Sequence, residues 1–433
     1  MFRKYLFTLI LFLQACNNPM NAEIGHDKSI EVIIQEYLLL ELSMGIHHQD
    51  HVDAYFGPED IKTLAVQKNL TVSQIHKRAE ILSKQIKVLT NNPMMPIQRS
   101  RNLQARLLAL TTRIKIFTGE LIPFDQETQA LFSVVAPYNE VAYFNTILTE
   151  IDRLIPGDEE LSIRVNKFKQ QFIIQPQYLE TVFNAAIEEC RRRTLRYIEL
   201  PSNEKFTLEY VQNKPWSGYN WYQGGSHSII QINTDLPIMI NRAVDLGCHE
   251  GYPGHHTYNS LIETNLVQQN NWLEYPLYPL YGPQSLIAEG SANYGIQLAF
   301  LDQERMEFEK NILFKLAKLD TKDVDRYYQL LELQGKLNYA GNEAARRYLN
   351  KEITRDQAIE WLIKYTLTSK ESAEKSTKFY DTYRSYVINY NLGKDIVKQY
   401  IETTTDSHDV RWEKFEQLLS EPMLPIDLKN LEQ

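Results

Sequence analysis

The chain has 433 residues, of which 43% are hydrophobic and 23% charged. This is the balance of a globular protein long enough for one large or two ordinary domains. The net charge of -9 is scattered, and no block of lysines or arginines could cover a phosphate backbone, so nucleic acid is not an expected partner.

The chain opens with MFRKYLFTLILFLQACNNP, in which Arg3 and Lys4 precede an apolar run over 5–13. A run this short reads as an export signal rather than a membrane span. Its end, Leu13-Gln14-Ala15-Cys16, resembles the bacterial lipobox. That predicts removal of a signal peptide over 1–15, lipidation of Cys16, and a polar tether over 16–27. The expected location is the bacterial cell envelope, periplasmic or surface-exposed, with membrane attachment through the lipid. The other two cysteines, Cys190 and Cys248, are read as buried thiols, because their separation says nothing about proximity.

Apolar residues then recur at three- and four-residue intervals over 30–44, 72–89, 97–117, 161–172, 178–197, 310–319, 324–333 and 356–365. They predict a mostly α fold, with 28–433 as a single helical domain. The exception is the middle. Residues 214–235 mix glycines, aromatics and β-branched residues, and 228–233 reads as a strand. Asp235 is placed to cap the next helix, with Pro237 in its first turn. The small β element therefore lies next to that helix. The stretch EYPLYPLYGPQ at 274–284 has three prolines and is expected to wrap the surface or line a cleft.

The helix expected after Asp235 leads into CHEGYPGHH at 248–256. Zinc takes nitrogen, sulfur or carboxylate ligands, and a helical H-E-x-x-H brings two histidines onto one face with the glutamate as general base. Here the fourth residue after His249 is Pro253. On a straight helix His255 would lie ~120° off the face of His249, and His256 would lie ~10 Å further along the axis. Pro253, flanked by Gly251 and Gly254, makes a kink or bulge the expectation. Two absorbed residues would bring His255 to the second ligand position, with Glu250 as base; His256 then supports the ligands from behind, contacts substrate, or is itself the ligand if the register differs by one. A third ligand should come from another element. Glu289, on the mostly apolar inward face of a predicted helix beside Leu286, Ala292, Asn293 and Ile296, fits that need.

Other features carry less chemistry. IHHQDH at 46–51 holds His47, His48 and His51 among turn residues and reads as a solvated loop, and His227 has no assigned role. No G-x-S-x-G elbow, P-loop or G-x-G-x-x-G is present. Cys248 adjoins His249, but helix neighbours point apart, so no Cys-His nucleophile pair is implied.

The segments HEGYPGHH, EGSANYG at 289–295, YNLG at 390–393 and HVDAYFGPE at 51–59 resemble the bacterial domain of unknown function 885 family, whose members carry an H-E-x-x-P-G-H-H motif followed by an E-G-W-A-like one. The resemblance spans most of the mature chain. It implies a largely helical, gluzincin-like metallopeptidase with His249, His255 and Glu289 as zinc ligands and Glu250 as base. Tyr390 matches a family tyrosine able to donate a hydrogen bond to a developing oxyanion. Ser291 stands where the family commonly has tryptophan, and 338–350 lacks an expected histidine. The resulting expectation is a Zn2+-dependent peptide hydrolase on a peptide substrate, with the 228–233 strand edge receiving an extended chain. The alternatives are a metal-dependent amidase or esterase, or a non-catalytic peptide-binding lipoprotein.

Overall fold

Four helices, Pro19–His47, Glu59–Lys68, Val72–Val88 and Ile97–Phe117, form the first packed layer of the computed structural model. The structure describes residues 19–89, 95–301, 303–403, 405 and 407–429; the expected signal peptide and Cys16 lie outside them. The helix Pro19–His47 covers most of the stretch expected as a tether. In Val72–Val88 the apolar period is plain: Ile75, Ala79, Leu82 and Ile86 are buried. The Thr71 hydroxyl accepts the Gln74 N–H while the Gln74 side chain accepts the Thr71 N–H, which closes the N-terminus in a capping box. The layer shares a core of Ile34, Tyr37, Leu38, Leu103, Leu107 and Leu110. At 46–51 the solvated reading holds for exposed His47 but not for His51. That ring turns inward, 2.6 Å from the buried Glu41 carboxylate.

The five strands among the described residues are short: β1 Val52–Tyr55, β2 Lys205–Val211, β3 Gly218–Gly224, β4 His227–Asn233 and β5 Leu277–Pro279. The larger sheet has the order β2-β4-β3, with β2 parallel and β3 antiparallel to β4. The strand predicted at 228–233 is therefore central. Both of its edges are taken, so it cannot receive an extended chain, and the edge beside the cleft belongs to β3. The following helix also starts later than expected, at Asn241. Asp235 does not cap it, because its carboxylate accepts the Asn213 and Lys214 N–H groups instead. The proline-rich stretch is buried, not wrapped on the surface, and β5 within it pairs antiparallel with β1. Tyr278 and Leu280 from this stretch line the cleft.

The larger core surrounds the helix Pro283–Ala299, which is buried on nearly every side. The helix Ile388–Glu402 lies against it so closely that a Cβ on Gly290 would sit 2.4 Å from the Gly393 backbone. Side-chain-free positions on both helices permit this approach. No helix among the described residues is long and apolar enough to cross a membrane.

Cys190 and Cys248, read from sequence as buried thiols, are joined in a disulfide with Cα atoms 5.6 Å apart. The helices Leu179–Thr194 and Asn241–Glu250 pack side by side, Gly247 lying against Ile187, and this packing brings together cysteines 58 positions apart. Closing a loop of that length restricts the unfolded chain. Cys190→Ser with Cys248→Ser is expected to cost about 2–4 kcal/mol of stability, measured by denaturant unfolding without reductant. A midpoint unchanged from the wild type would contradict this.

Candidate metal centre

The helix Asn241–Glu250 delivers His249 and Glu250 to the floor of a cleft of about 1440 Å³. Ala243, Val244 and Leu246 anchor it in the core, and the Asn220 amide of β3 donates to the terminal Glu250 carbonyl at 2.7 Å. The chain then turns through a cis Tyr252–Pro253 peptide and begins a new helix, His255–Ile262. The break is thus a stop and restart rather than a bulge in one helix. Gly254 holds it together: its N–H donates to the Cys248 carbonyl at 3.0 Å, and a Cβ there would fall 1.8 Å from the His249 carbonyl oxygen. Only glycine permits that return path.

The turn sets the rings of His249 and His255 edge to face with Nε2 atoms 3.1 Å apart. Glu289, from Pro283–Ala299, places Oε2 3.1 Å from His249 Nε2 and 3.7 Å from His255 Nε2. Donors about 2.0–2.1 Å from a tetrahedral zinc would be separated by about 3.3–3.4 Å, so the three atoms match one coordination sphere. Among the described residues they are the one His/Cys/Asp/Glu group with such spacing. The Glu289 Oε2 atom is buried and has no hydrogen bond, the condition expected of an atom awaiting a cation. The residues fit the metal.

Supporting contacts orient this set. Asn293 Oδ1 lies 3.1 Å from His249 Nδ1 and, by accepting its proton, leaves the Nε2 lone pair facing Glu289. The Asn293 amide in turn donates to the Tyr390 carbonyl at 3.0 Å. Tyr386 donates its hydroxyl to Glu289 Oε1 at 2.8 Å. Sequence reasoning placed Asn293 beside Glu289 without a role, although its i+4 spacing was the available signal. It missed Tyr386, which precedes Tyr390 by one helical turn.

His256 does not join the centre. It is fully buried, with Nδ1 2.8 Å from the Ser228 hydroxyl and Nε2 3.0 Å from Glu204. Tyr252 and Arg191 also donate to Glu204. Burial opposes the Glu204 carboxylate, but these donors prevail and bring its pKa down to about 2. Adjacent helical residues point in different directions, so once His255 faces the cleft His256 must face β4.

Two other carboxyls face the His249–His255–Glu289 cluster. Glu250 is buried, with Oε1 2.7 Å from where a Cβ on Gly218 would lie. Burial raises its pKa to about 7, opposed by His255. Asp53 of β1, which sequence reasoning left without a role, is likewise raised to about 7 by burial, His255 again opposing. Tyr390 lines the cleft with its ring centroid 6.5 Å from that of His249. Its hydroxyl has no hydrogen-bond partner among the described residues, and burial keeps the phenol protonated.

No family model and no curated protein matches the chain. Solved structures do. A candidate lipoprotein from Colwellia psychrerythraea aligns with a TM-score of 0.50 and 15% identity over 85% of this chain and 64% of its own. A second candidate lipoprotein, of unknown function, from Shewanella oneidensis has a TM-score of 0.41 and 12% identity over 84% and 79% of the two chains. A structure named BsuCP has 0.46 and 11% over 93% and 90%. The chain spans 64% of the length of the Colwellia protein, and what it shares with that protein is the mostly α fold.

Proposed function

We propose that the protein is a zinc-dependent peptide-bond hydrolase of the domain of unknown function 885 type, held at the cell envelope by a lipid on Cys16. The observation that carries this reading is the convergence of His249 Nε2, His255 Nε2 and Glu289 Oε2 at 3.1–3.7 Å on the floor of an open cleft, with Glu250 beside them. Bound there, zinc supplies Lewis acidity that acidifies water and polarises a carbonyl. Glu250 accepts the proton of the attacking water and returns it to the departing amine as the C–N bond breaks. Tyr390, its hydroxyl free, donates to the oxygen that gains charge. Asn293 and Tyr386 hold His249 and Glu289 in orientation. The outer edge of β3, which lines the cleft, is where an extended substrate backbone can pair.

The test is metal analysis after chelation and reloading. Wild-type protein is expected to retain one zinc per chain and to cleave a peptide library. His255→Ala should weaken zinc binding by more than about 100-fold. His256→Ala should keep the stoichiometry and lose about 1–3 kcal/mol of stability, because Glu204 is left short of a donor. Zinc lost from the His256 variant and kept by the His255 variant would reverse the assignment. Hydrolysis confined to non-peptide amides or esters would replace the substrate class.

A further inference from the structure

Lys169 and Arg242 stand together on the cleft wall, the first at the end of the helix Leu161–Lys169 and the second in the first turn of the helix that carries His249. Their charges are incompletely answered. Arg242 reaches Asp245 at 3.3 Å, but Asp245 also pairs with Arg305 at 2.7 Å, and Arg305 pairs again with Glu309 at 2.7 Å. Lys169, half-buried, has no ion-pair or hydrogen-bond partner among the described residues. Burial and then its neighbour Arg242 lower its ammonium to about 8, which leaves it mostly charged at neutral pH. Two cations held together against desolvation form an arrangement that an incoming anion would complete.

Their position relates them to the metal centre. Arg242 precedes His249 by seven residues, which puts both within about 20° of one helix face and about 10 Å apart along the axis. The Arg242 guanidinium leans toward Asp245, hence toward the His249 end, and its field reaches Glu250. An extended chain advances about 3.3–3.6 Å per residue, so a peptide with its scissile carbonyl at the His/Glu cluster brings a group about two or three residues away to this wall. The one anion on every peptide backbone is the C-terminal carboxylate.

We propose that Lys169 and Arg242 form the subsite for the free C-terminal carboxylate of a peptide substrate, so that the enzyme releases short C-terminal fragments. The inference rests on the peptidase reading and names its substrate class. An acidic side chain offers the same carboxylate chemistry from a different source.

The experiment measures binding of fluorescent hexapeptides to the zinc-loaded Glu250→Gln protein, so its outcome does not depend on hydrolysis. Three peptides are compared: a free acid, its C-terminal amide, and the amide with glutamate among the last three residues. The free acid is expected to bind at least about tenfold more tightly than the plain amide. Lys169→Met should bring that ratio toward one, and Lys169→Arg should restore it. Equal or undetectable binding of acid and amide would overturn the subsite. Tight binding of the glutamate amide would overturn the terminal assignment in favour of an acidic side chain. Acid-selective binding together with no peptide hydrolysis by the wild-type enzyme would uphold the subsite and refute the peptidase reading.

Discussion

Glu250→Gln is expected to lower kcat for peptide hydrolysis by about a thousandfold while zinc remains bound at one per chain. Glutamine preserves the volume beside Gly218 and the backbone carbonyl that accepts from Asn220, so the end of the helix should stay in place. What it removes is the carboxylate able to take a proton. Glu250 is not among the three atoms that converge for the metal, so metal content separates loss of the base from loss of the site. Burial, opposed by His255 and Arg242, puts the Glu250 carboxyl at about 7; a bound dication would draw it lower, into the range where it is ionised at neutral pH. Turnover within threefold of the wild type would remove Glu250 from this role.

Gly290→Ala is expected to force apart two helices of the larger core. The new carbon would lie 2.4 Å from the Gly393 carbonyl group and 2.9 Å from its Cα, all backbone atoms that cannot rotate away. The helices Pro283–Ala299 and Ile388–Glu402 must separate, at a cost of about 1–3 kcal/mol or more. The damage should also reach the His249–His255–Glu289 cluster. Glu289 is the preceding residue on one helix, Tyr390 lies in the first turn of the other, and Tyr386 lies in the short 3-10 turn that leads into it. Thermal unfolding of metal-free protein should therefore shift down by several degrees, and zinc affinity should fall with it. An unchanged transition in the metal-free protein would show that the two helices are not held together at this crossing.

Ile75, Ala79, Leu82 and Ile86 announce their helix because a 3.6-residue period is written in neighbouring positions. The strand at 228–233 was visible for a similar reason, yet its place in the sheet was not: order depends on which distant segments pair, and β2 and β3 took both its edges. Asp235 looked like a helix cap because it preceded a proline and an apolar run. Its carboxylate instead found the N–H groups of Asn213 and Lys214, a contact between segments more than 20 residues apart.

The candidate site divides in the same way. By itself the sequence determined the mostly α class, the proline and glycines that interrupt the helix after Glu250, and the residue types able to hold a metal, because each follows from local chemistry. Tertiary structure decided that His255 rather than His256 turns toward His249, that Glu289 Oε2 meets them, that Asn293 and Tyr386 hold them, and that Cys190 reaches Cys248. The metal-site contacts depend on the path of a four-residue turn, where a Cβ on Gly254 would fall 1.8 Å from the His249 carbonyl oxygen, and on the helix crossing of Gly290 against Gly393; the disulfide depends on the packing of Leu179–Thr194 against Asn241–Glu250. Spacing along a chain states how far apart residues can be. Packing between segments distant in sequence decides which of them touch.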